Sequence, residues 1–265
     1  SRISRRSWKR KKPRWPRVAA RVTIMQSPAT ASIEKRDDPH VLAVACANWI
    51  VSKISERNEP FRMALSGGST PRDLYSTLAS ERFFGVVDWD RVEFFWSDER
   101  FVPATSPDNN YRMAHDLLLS KIRVPAQNIH PIPTDGTPDD AATRYERELK
   151  SVYQFESLDQ SEPLFDLVLL GLGEDGHTAS LLPGSSVLEE KTHWVAAVTH
   201  GRPEPRITLT YPAIASSRAV AFLVTGAGKA SAVAAVRAGD SALPAARVLS
   251  QGEVIWFLDS AAAGD

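Results

Sequence analysis

Short apolar runs alternate with helical segments along this chain, and glycine-rich turns join several of them. FRMAL (61–65) leads into SGGSTP, FDLVLL (165–170) into GLGEDGH, and AVAFLV (219–224) into TGAGK. Strands that alternate with helices favour right-handed crossovers and a mainly parallel sheet. We therefore predict one α/β domain over residues 25–265, with a Rossmann-like sheet and helices on both of its faces.

Amphipathic spacing and strand propensity predict the other elements. Helices are expected over 39–57, from 71 onwards, and over 110–121, 139–155 and 229–238, with a helical turn at 212–217. Strands are expected over 91–96, 194–198, 206–211 and 253–258. Parallel strands share one carboxyl edge, where such sheets bind ligands. Four loops that follow strands should therefore converge there: 66–71, 97–100, 171–184 and 225–229.

A single cysteine and an uneven charge distribution limit the classes of function. Cys46 alone cannot form an intrachain disulfide or a cysteine-based metal centre, and no apolar run is long enough to span a membrane. Residues 1–21 hold ten Lys and Arg and no acid, which leaves 22 basic against 32 acidic residues in the remainder. An acidic body argues against a nucleic-acid surface on the folded domain.

The basic segment at residues 1–24 has more than one interpretation. It is Arg-rich and free of acid, as a nucleic-acid arm or a transit peptide would be. Pro13 and Pro16 interrupt it, and it lacks a long amphipathic helix. We predict a disordered extension, upstream of a start at Met25, and exclude it from the fold.

The turn SGGSTP combines features that suit a phosphate group. Gly67 and Gly68 let the backbone approach a ligand closely, and Ser69 and Thr70 add hydroxyl donors. The helix that begins at Pro71 would present free N–H groups and the positive end of its dipole. A plain glycine turn with a threonine cap is the alternative, because neither GxxxxGK[ST] nor GxGxxG is present.

Three cationic side chains lie at the ends of other predicted strands. Two of them follow a strand, and the third begins one. Lys229 lies at the first turn of a predicted helix, where a positive charge is unfavourable unless an anion is near. Asp98 and Arg100 follow a strand and could orient hydroxyls and neutralise developing negative charge. Arg206 opens RITLT and is the weakest candidate by spacing. Each of these could also be an ordinary surface residue.

His177 is the one histidine that lies in a glycine-flanked loop at the end of a strand. Asp175, two residues earlier, can hold the imidazole in one tautomer and leave the other nitrogen free as a general base. The chain has no G-x-S-x-G elbow for a serine nucleophile. We therefore predict a histidine that activates water rather than a covalent mechanism.

Five stretches of the chain, in order, resemble the 6-phosphogluconolactonase family. They are SGGSTPRDLY, SDERFVP with NNYRMA, FDLVLLGLGEDGHTASLLPG, RITLT and TGAGKA, all within residues 39–259. DGHTASLLPG is the most specific of them. The chain departs from the family pattern at Asn109, where serine is usual. Glu174 lies at a variable position, so we assign it no role.

The resemblance implies a fold shared with glucosamine-6-phosphate deaminase. It implies hydrolysis of 6-phospho-D-glucono-1,5-lactone to 6-phosphogluconate in the oxidative pentose phosphate pathway, with no metal or organic cofactor. His177 is then the general base, Asp175 orients it, and Arg100 near Asp98 stabilises the oxyanion or holds the sugar. The phosphate is expected on the other candidates: Gly67, Gly68, Ser69, Thr70, Arg206 and Lys229. We expect a cytoplasmic monomer that acts on a small sugar-phosphate lactone, with no nucleic-acid or membrane partner.

Two other functions stay open at this point. A glucosamine-6-phosphate deaminase needs an acidic residue and an Asn-Glu-Pro segment soon after Asp-Gly-His, whereas TASLLP (178–183) follows here. A sugar-phosphate sensor of a transcription regulator needs a helix-turn-helix ahead of residue 39, and residues 1–38 show no apolar periodicity. Both rank below the lactonase.

Overall fold

Two sheets of opposite kind organise the computed structural model, which describes residues 25–265. The prediction of a disordered basic extension therefore lies outside the described residues. The strands are β1 (Ser32–Arg36), β2 (Phe61–Leu65), β3 (Val92–Trp96), β4 (Asp98–Arg100), β5 (Leu167–Leu170), β6 (Val195–Val198), β7 (Arg206–Leu209), β8 (Ala219–Val224) and β9 (Glu253–Asp259). The helices are α1 (Pro39–Ser55), α2 (Pro71–Leu78), α3 (Glu81–Phe84), α4 (Asn110–Ala114), α5 (Pro138–Tyr153), α6 (Tyr211–Ala215), α7 (Ala230–Arg237) and α8 (Ser260–Ala263).

The larger sheet has six strands in the order β1-β9-β8-β5-β2-β3, and every neighbouring pair is parallel. The central strands β5 and β8 are buried along their whole length. Continuous burial explains why these strands read as unbroken apolar runs rather than as alternating patterns, since helices flank a parallel sheet of this kind. The predicted α/β fold with a mainly parallel sheet is confirmed.

Helix starts follow the expected capping chemistry. Asp38 accepts hydrogen bonds from the backbone N–H groups of the first turn of α1, and Thr137 caps α5 in the same way. Helix α5 lies against β6 and β7, and its buried Tyr145 hydroxyl accepts from Trp96 N at the end of β3 at 2.9 Å. Within residues 25–265, no helix is both long and apolar enough to cross a membrane.

The smaller sheet was not predicted. It is antiparallel, in the order β4-β7-β6, and β4 consists of residues that we expected to form a loop after β3. The chain leaves β3 at Trp96 and enters the second sheet two residues later, so β3 and β4 follow each other almost directly but belong to different sheets. The sequence analysis also missed β1, a charged strand at the edge of the parallel sheet beside β9.

The predicted helix over 110–121 is also modified. Its first turn is α4, and His115–Leu119 continues it as a π-helical turn. The remaining predicted elements agree with the structure to within two or three residues at each end, which is the usual uncertainty of helix and strand boundaries.

Candidate active site

A cavity of about 150 Å³ lies at the carboxyl edge of the parallel sheet. Ser66 after β2, His177 after β5 and Lys229 after β8 contribute to its wall, and Asp98 of β4 completes it. Residues from all four loops that were expected to converge therefore meet around one cavity. Both sheets supply them.

His177 and Asp175 form a hydrogen-bonded pair beside this cavity. The Nδ1–H of the imidazole donates to Asp175 Oδ1 in a short hydrogen bond, and the backbone N–H of His177 donates to the same oxygen at 3.2 Å. This arrangement places the proton on Nδ1. Nε2 makes no hydrogen bond within residues 25–265, so its lone pair is available on the wall of the cavity.

Gly173 makes this pairing possible. A Cβ atom added at Gly173 would overlap the imidazole of His177 and would lie 2.5 Å from Asp175 Oδ1. The turn is closed by Gly173 N, which donates to His177 O at 2.8 Å, and by Gly176, whose φ of +76° suits glycine. The glycines of this loop thus leave space for the two titratable side chains.

Arg202 contacts both residues of this pair, and the sequence analysis missed it. Its guanidinium donates to Asp175 Oδ2 at 2.8 Å and lies 3.2 Å from His177 Nδ1. Burial alone would raise the pKa of Asp175, but hydrogen bonds from His177 and Arg202 outweigh it and lower that pKa to about 2. Asp175 is therefore a carboxylate at any pH near neutrality.

Asp98 lies buried where β4 meets the cavity. Its Oδ2 accepts from the Ser180 hydroxyl at 2.7 Å. Burial raises the pKa of Asp98, against the opposing effects of the Ser180 hydrogen bond and the charge of Arg206. Ser180 follows His177 by three residues, so the loop after β5 and the antiparallel sheet are joined at this point.

Arg100 and Arg206 are cross-strand neighbours in the antiparallel sheet, because the register of β4 and β7 pairs them directly. The Nε atoms of both are buried and have no hydrogen-bond partner among the described residues. Burial is the largest influence on the pKa of Arg206 and lowers it. Two adjacent guanidinium groups with unused donors are suited to an anionic ligand. Arg100 also donates to Asp108 O at 3.1 Å.

The glycine turn after β2 is fixed by its neighbours. The Tyr75 hydroxyl accepts from Ser66 N at 3.0 Å and donates to Ser66 O at 2.6 Å. Gly68 has a φ of +94°, and a Cβ added at Gly67 would overlap the side chain of Asn110. The backbone thus turns sharply into α2. Pro71 has no N–H and Arg72 N donates to Ser69 O at 3.3 Å, so the expected free donors are not those of the helix itself but the N–H groups of residues 67–70, which make no hydrogen bond among the described residues.

Thr70 and Lys229 connect this turn to the one after β8. Thr70 Oγ1 lies 3.2 Å from Thr225 Oγ1, a hydrogen bond between the two turns. Lys229 ends the 3₁₀ turn that precedes α7, and its ammonium has no hydrogen bond or ion pair within residues 25–265. A free cation and a glycine turn therefore lie on the same side of the cavity.

Glu99 is buried beside these residues and has a structural task. Its carboxylate accepts from Asn110 N at 2.7 Å, Tyr111 N at 2.8 Å and Arg100 N at 2.8 Å. Burial raises its pKa to about 7, although these hydrogen bonds favour the charged form. Glu99 thereby holds the start of α4 against the glycine turn. Asn109, the expected departure from the family pattern, caps α4, because its side chain accepts from Arg112 N at 2.8 Å.

A larger cavity, of about 1140 Å³, lies between α5 and β6. Its walls carry side chains of both signs, such as Glu146 and Lys150, and none of its residues comes from the four converging loops. The small cavity at the edge of the parallel sheet is therefore the candidate active site.

A sequence profile of the family described as glucosamine-6-phosphate isomerases/6-phosphogluconolactonase matches residues 37–256. The chain belongs to this family. It is 38% identical over 241 residues to a 6-phosphogluconolactonase of Nostoc sp., a match that covers 88% of this chain and 98% of that protein. It is 37% identical over 256 residues to the chloroplastic 6-phosphogluconolactonase 3 of Arabidopsis thaliana, which covers 90% of this chain and 78% of that protein.

Solved structures agree with the family and the fold. A 6-phosphogluconolactonase from Trypanosoma brucei superposes with a TM-score of 0.75 at 32% identity, over 89% of this chain and 98% of that one. A monomeric glucosamine-6-phosphate deaminase of the NagB superfamily superposes with a TM-score of 0.73 at 20% identity, over 88% and 99% of the two chains, and shows the fold alone. The predicted membership of the 6-phosphogluconolactonase family, and with it a hydrolase, is confirmed.

Proposed function

We propose that this enzyme hydrolyses 6-phospho-D-glucono-1,5-lactone to 6-phospho-D-gluconate, with His177 as the general base. The observation that carries the proposal is the pairing of His177 with Asp175 on the wall of a cavity that Lys229 also lines. The relatives named 6-phosphogluconolactonase support the choice of substrate.

The reaction needs one proton acceptor and one site for negative charge. Nε2 of His177 takes a proton from water as the water oxygen attacks C1 of the lactone. We assign the oxyanion that forms on the carbonyl oxygen to Arg100, whose Nε has no partner among the described residues and which follows the cavity residue Asp98 by two positions on β4. The tetrahedral intermediate then breaks its bond from C1 to the ring oxygen, and the ring oxygen becomes the C5 hydroxyl by accepting a proton from the imidazolium.

The phosphate would be held at the other end of the cavity. Backbone N–H groups of the glycine turn, the hydroxyls of Ser69 and Thr70, and the ammonium of Lys229 provide donors of the kind that bind phosphate dianions. Arg206 would add a second cation from the antiparallel sheet. A lactone opens slowly without a catalyst, so general-base assistance and orientation suffice for a large part of the acceleration.

The experiment is lactone opening followed in a pH-stat, with the uncatalysed rate subtracted. His177→Asn should lower kcat by roughly 10²- to 10⁴-fold with an unchanged thermal unfolding temperature. His40→Asn is the matched control, because His40 also pairs with an aspartate, Asp73, at 3.1 Å but lies outside the site. Wild-type kcat in His177→Asn would overturn the mechanism. Ammonia release from glucosamine 6-phosphate without lactone opening would overturn the substrate.

Several finer statements belong to the same proposal. We place the reaction in the oxidative pentose phosphate pathway and the enzyme in the cytoplasm, as a monomer that uses no cofactor. The acidic balance of the chain after residue 21 supports the absence of nucleic acid among its partners. Because a relative is chloroplastic, cell fractionation is the direct check of the compartment, and sedimentation at enzyme concentrations checks the monomer.

A further inference from the structure

Arg202 reaches the His177 loop from the opposite side of the site. It lies in the connection between β6 and β7, so the antiparallel sheet presents it to a loop of the parallel sheet. Gly201, which precedes it, has a φ of +85°, and a Cβ there would lie 3.3 Å from Leu182. The glycine lets the connection pack closely onto the segment after His177.

The hydrogen bonds of Asp175 account for both of its oxygens. Oδ1 accepts from the backbone and the Nδ1–H of His177, and Oδ2 accepts from Arg202 at 2.8 Å. With a donor on each oxygen, the carboxylate is held against rotation. Nδ1 already donates its proton to Asp175, so the 3.2 Å approach of Arg202 to Nδ1 is a contact between charge and ring rather than a second hydrogen bond.

We propose that Arg202 is a positioning residue, which fixes Asp175 on Nδ1 of His177 and by its charge keeps the imidazole in the neutral form that acts as base. This inference rests on the proposed role of His177. Arg202 does not itself receive or donate the proton that is transferred.

The charges around the imidazole give the direction of the effect. His177 lies near the carboxylates of Asp175 and Asp98 and the cations Arg202 and Lys229. The charges of Arg206 and Arg100 also act on Asp98, and the Glu174 carboxylate lies against Gly228, next to Lys229. Arg202 and Lys229 oppose a third positive charge on the ring. Without Arg202, Lys229 is the one adjacent cation among the described residues that opposes a second proton on the ring, whereas the neighbouring carboxylates favour it.

The test compares Arg202→Gln and Arg202→Lys over a range of pH. Gln removes the charge, so kcat should fall about 10-fold, and the acid limb of the kcat profile should move up by roughly 0.5 to 1 pH unit, with KM within about twofold. Lys retains the charge but lacks the planar guanidinium. The acid limb of the Arg202→Lys profile should therefore stay near that of the wild type, while kcat is partly lost.

The control is Arg247→Gln. Arg247 also pairs with a carboxylate, that of Glu189 at 3.1 Å, and its side chain is 32% exposed, compared with 35% for Arg202. It lies outside the site and should leave the profile unchanged. A raised KM with normal kcat in Arg202→Gln would mean that Arg202 binds substrate, and equal losses in Gln and Lys with an unmoved acid limb would mean packing alone. Either result overturns the inference.

A second readout does not depend on turnover. In ¹⁵N-histidine NMR, the wild type should show His177 protonated on Nδ1, and the Arg202→Gln protein should take up the second ring proton at a higher pH. Titration of the ring at the same pH in both proteins would overturn the inference, even if the lactonase were active. If the wild type lacked lactonase activity, the proposed function would fail while this measurement still decided the role of Arg202.

Discussion

The proposed backbone donors and the proposed histidine base follow strands of the parallel sheet, whereas three of the four arginine and lysine side chains of the candidate site, Arg100, Arg202 and Arg206, belong to the antiparallel sheet or its connections. In the parallel sheet, each contribution is a run of consecutive residues that follows a strand, such as 66–71 or 171–177. In the antiparallel sheet, Arg100 and Arg206 meet only because two distant strands pair in one register. One half of the site is thus local in sequence and the other half depends on tertiary structure.

In the parallel half, the largest loss of activity is expected from Gly173→Ala. The added methyl group would overlap the His177 ring, so the imidazole must move. A displacement of about 1 Å at a reacting group can cost on the order of 10²-fold in rate. We expect kcat to fall by about that factor, measured by lactone opening, with a smaller change in KM because the proposed phosphate donors stay in place.

The control for this variant is Gly85→Ala. Gly85 follows α3, has a negative φ of −99°, and no atom lies within 4 Å of an added Cβ. Its activity should equal that of the wild type. Normal kcat in Gly173→Ala would show that the loop accommodates the methyl group and that the position of the His177 ring is not critical.

The difference between the two sheets also explains which strands could be predicted from the sequence and which could not. The parallel strands β2, β5 and β8 are largely apolar and are followed by glycine turns, so both their positions and the convergence of their loops follow from pattern alone. Strand β1 (SIEKR) was missed because it is short, charged and at an edge, and carries only one apolar residue, Ile33. Strand β4 was missed because three consecutive charged residues do not resemble a strand.

The site shows the same division. Asp175 and His177 are two residues apart, so their pairing could be expected from the sequence. Arg202 is 25 residues further along, in a loop with no periodicity, and nothing local connects it to them. Ser180 lies in the most specific stretch of the chain, but its partner Asp98 is 82 residues away. Contacts of this kind are set by the docking of the two sheets, which a single sequence does not display.

In the antiparallel half, Arg206→Gln should have a smaller effect than Gly173→Ala, and it should change KM rather than kcat. Its charge would be lost while the strand pairing of β7 is kept, since Gln adopts the same backbone. A charge-assisted hydrogen bond contributes about 1.5 to 3 kcal/mol. We therefore expect KM for the lactone to rise about 10-fold or more, with kcat within a few fold, measured from initial rates at several substrate concentrations.

A matched control is Arg237→Gln, at the exposed end of α7. It removes an arginine charge at a distance from the cavity and should leave KM unchanged. The double variant Gly173→Ala, Arg206→Gln then tests whether the two halves of the site act independently. If the two halves act independently, the two losses in kcat/KM multiply. A combined loss much smaller than the product would show that the halves act as one unit.

The smallest expected effect concerns stability, at Asp175, where the two halves touch. Hydrogen bonds from His177 and Arg202 outweigh burial and lower the pKa of this carboxyl from its ordinary 3.8 to about 2. The unfolded chain therefore takes up the proton at a higher pH than the folded protein. The stabilisation that ionised Asp175 provides is fully present above about pH 4 and is lost as the pH falls towards 2.

Asp175→Asn removes this titration. Between pH 5 and pH 3, linkage to a fully buried group would change the free energy of unfolding by about 1 kcal/mol. Because 42% of the Asp175 side chain is exposed, solvent screening reduces this to about 0.5 kcal/mol. Urea unfolding at the two pH values should show a larger loss for the wild type than for Asp175→Asn, by about that amount. Arg202→Gln should show an intermediate loss, because it removes one donor from the carboxylate and leaves His177 in place.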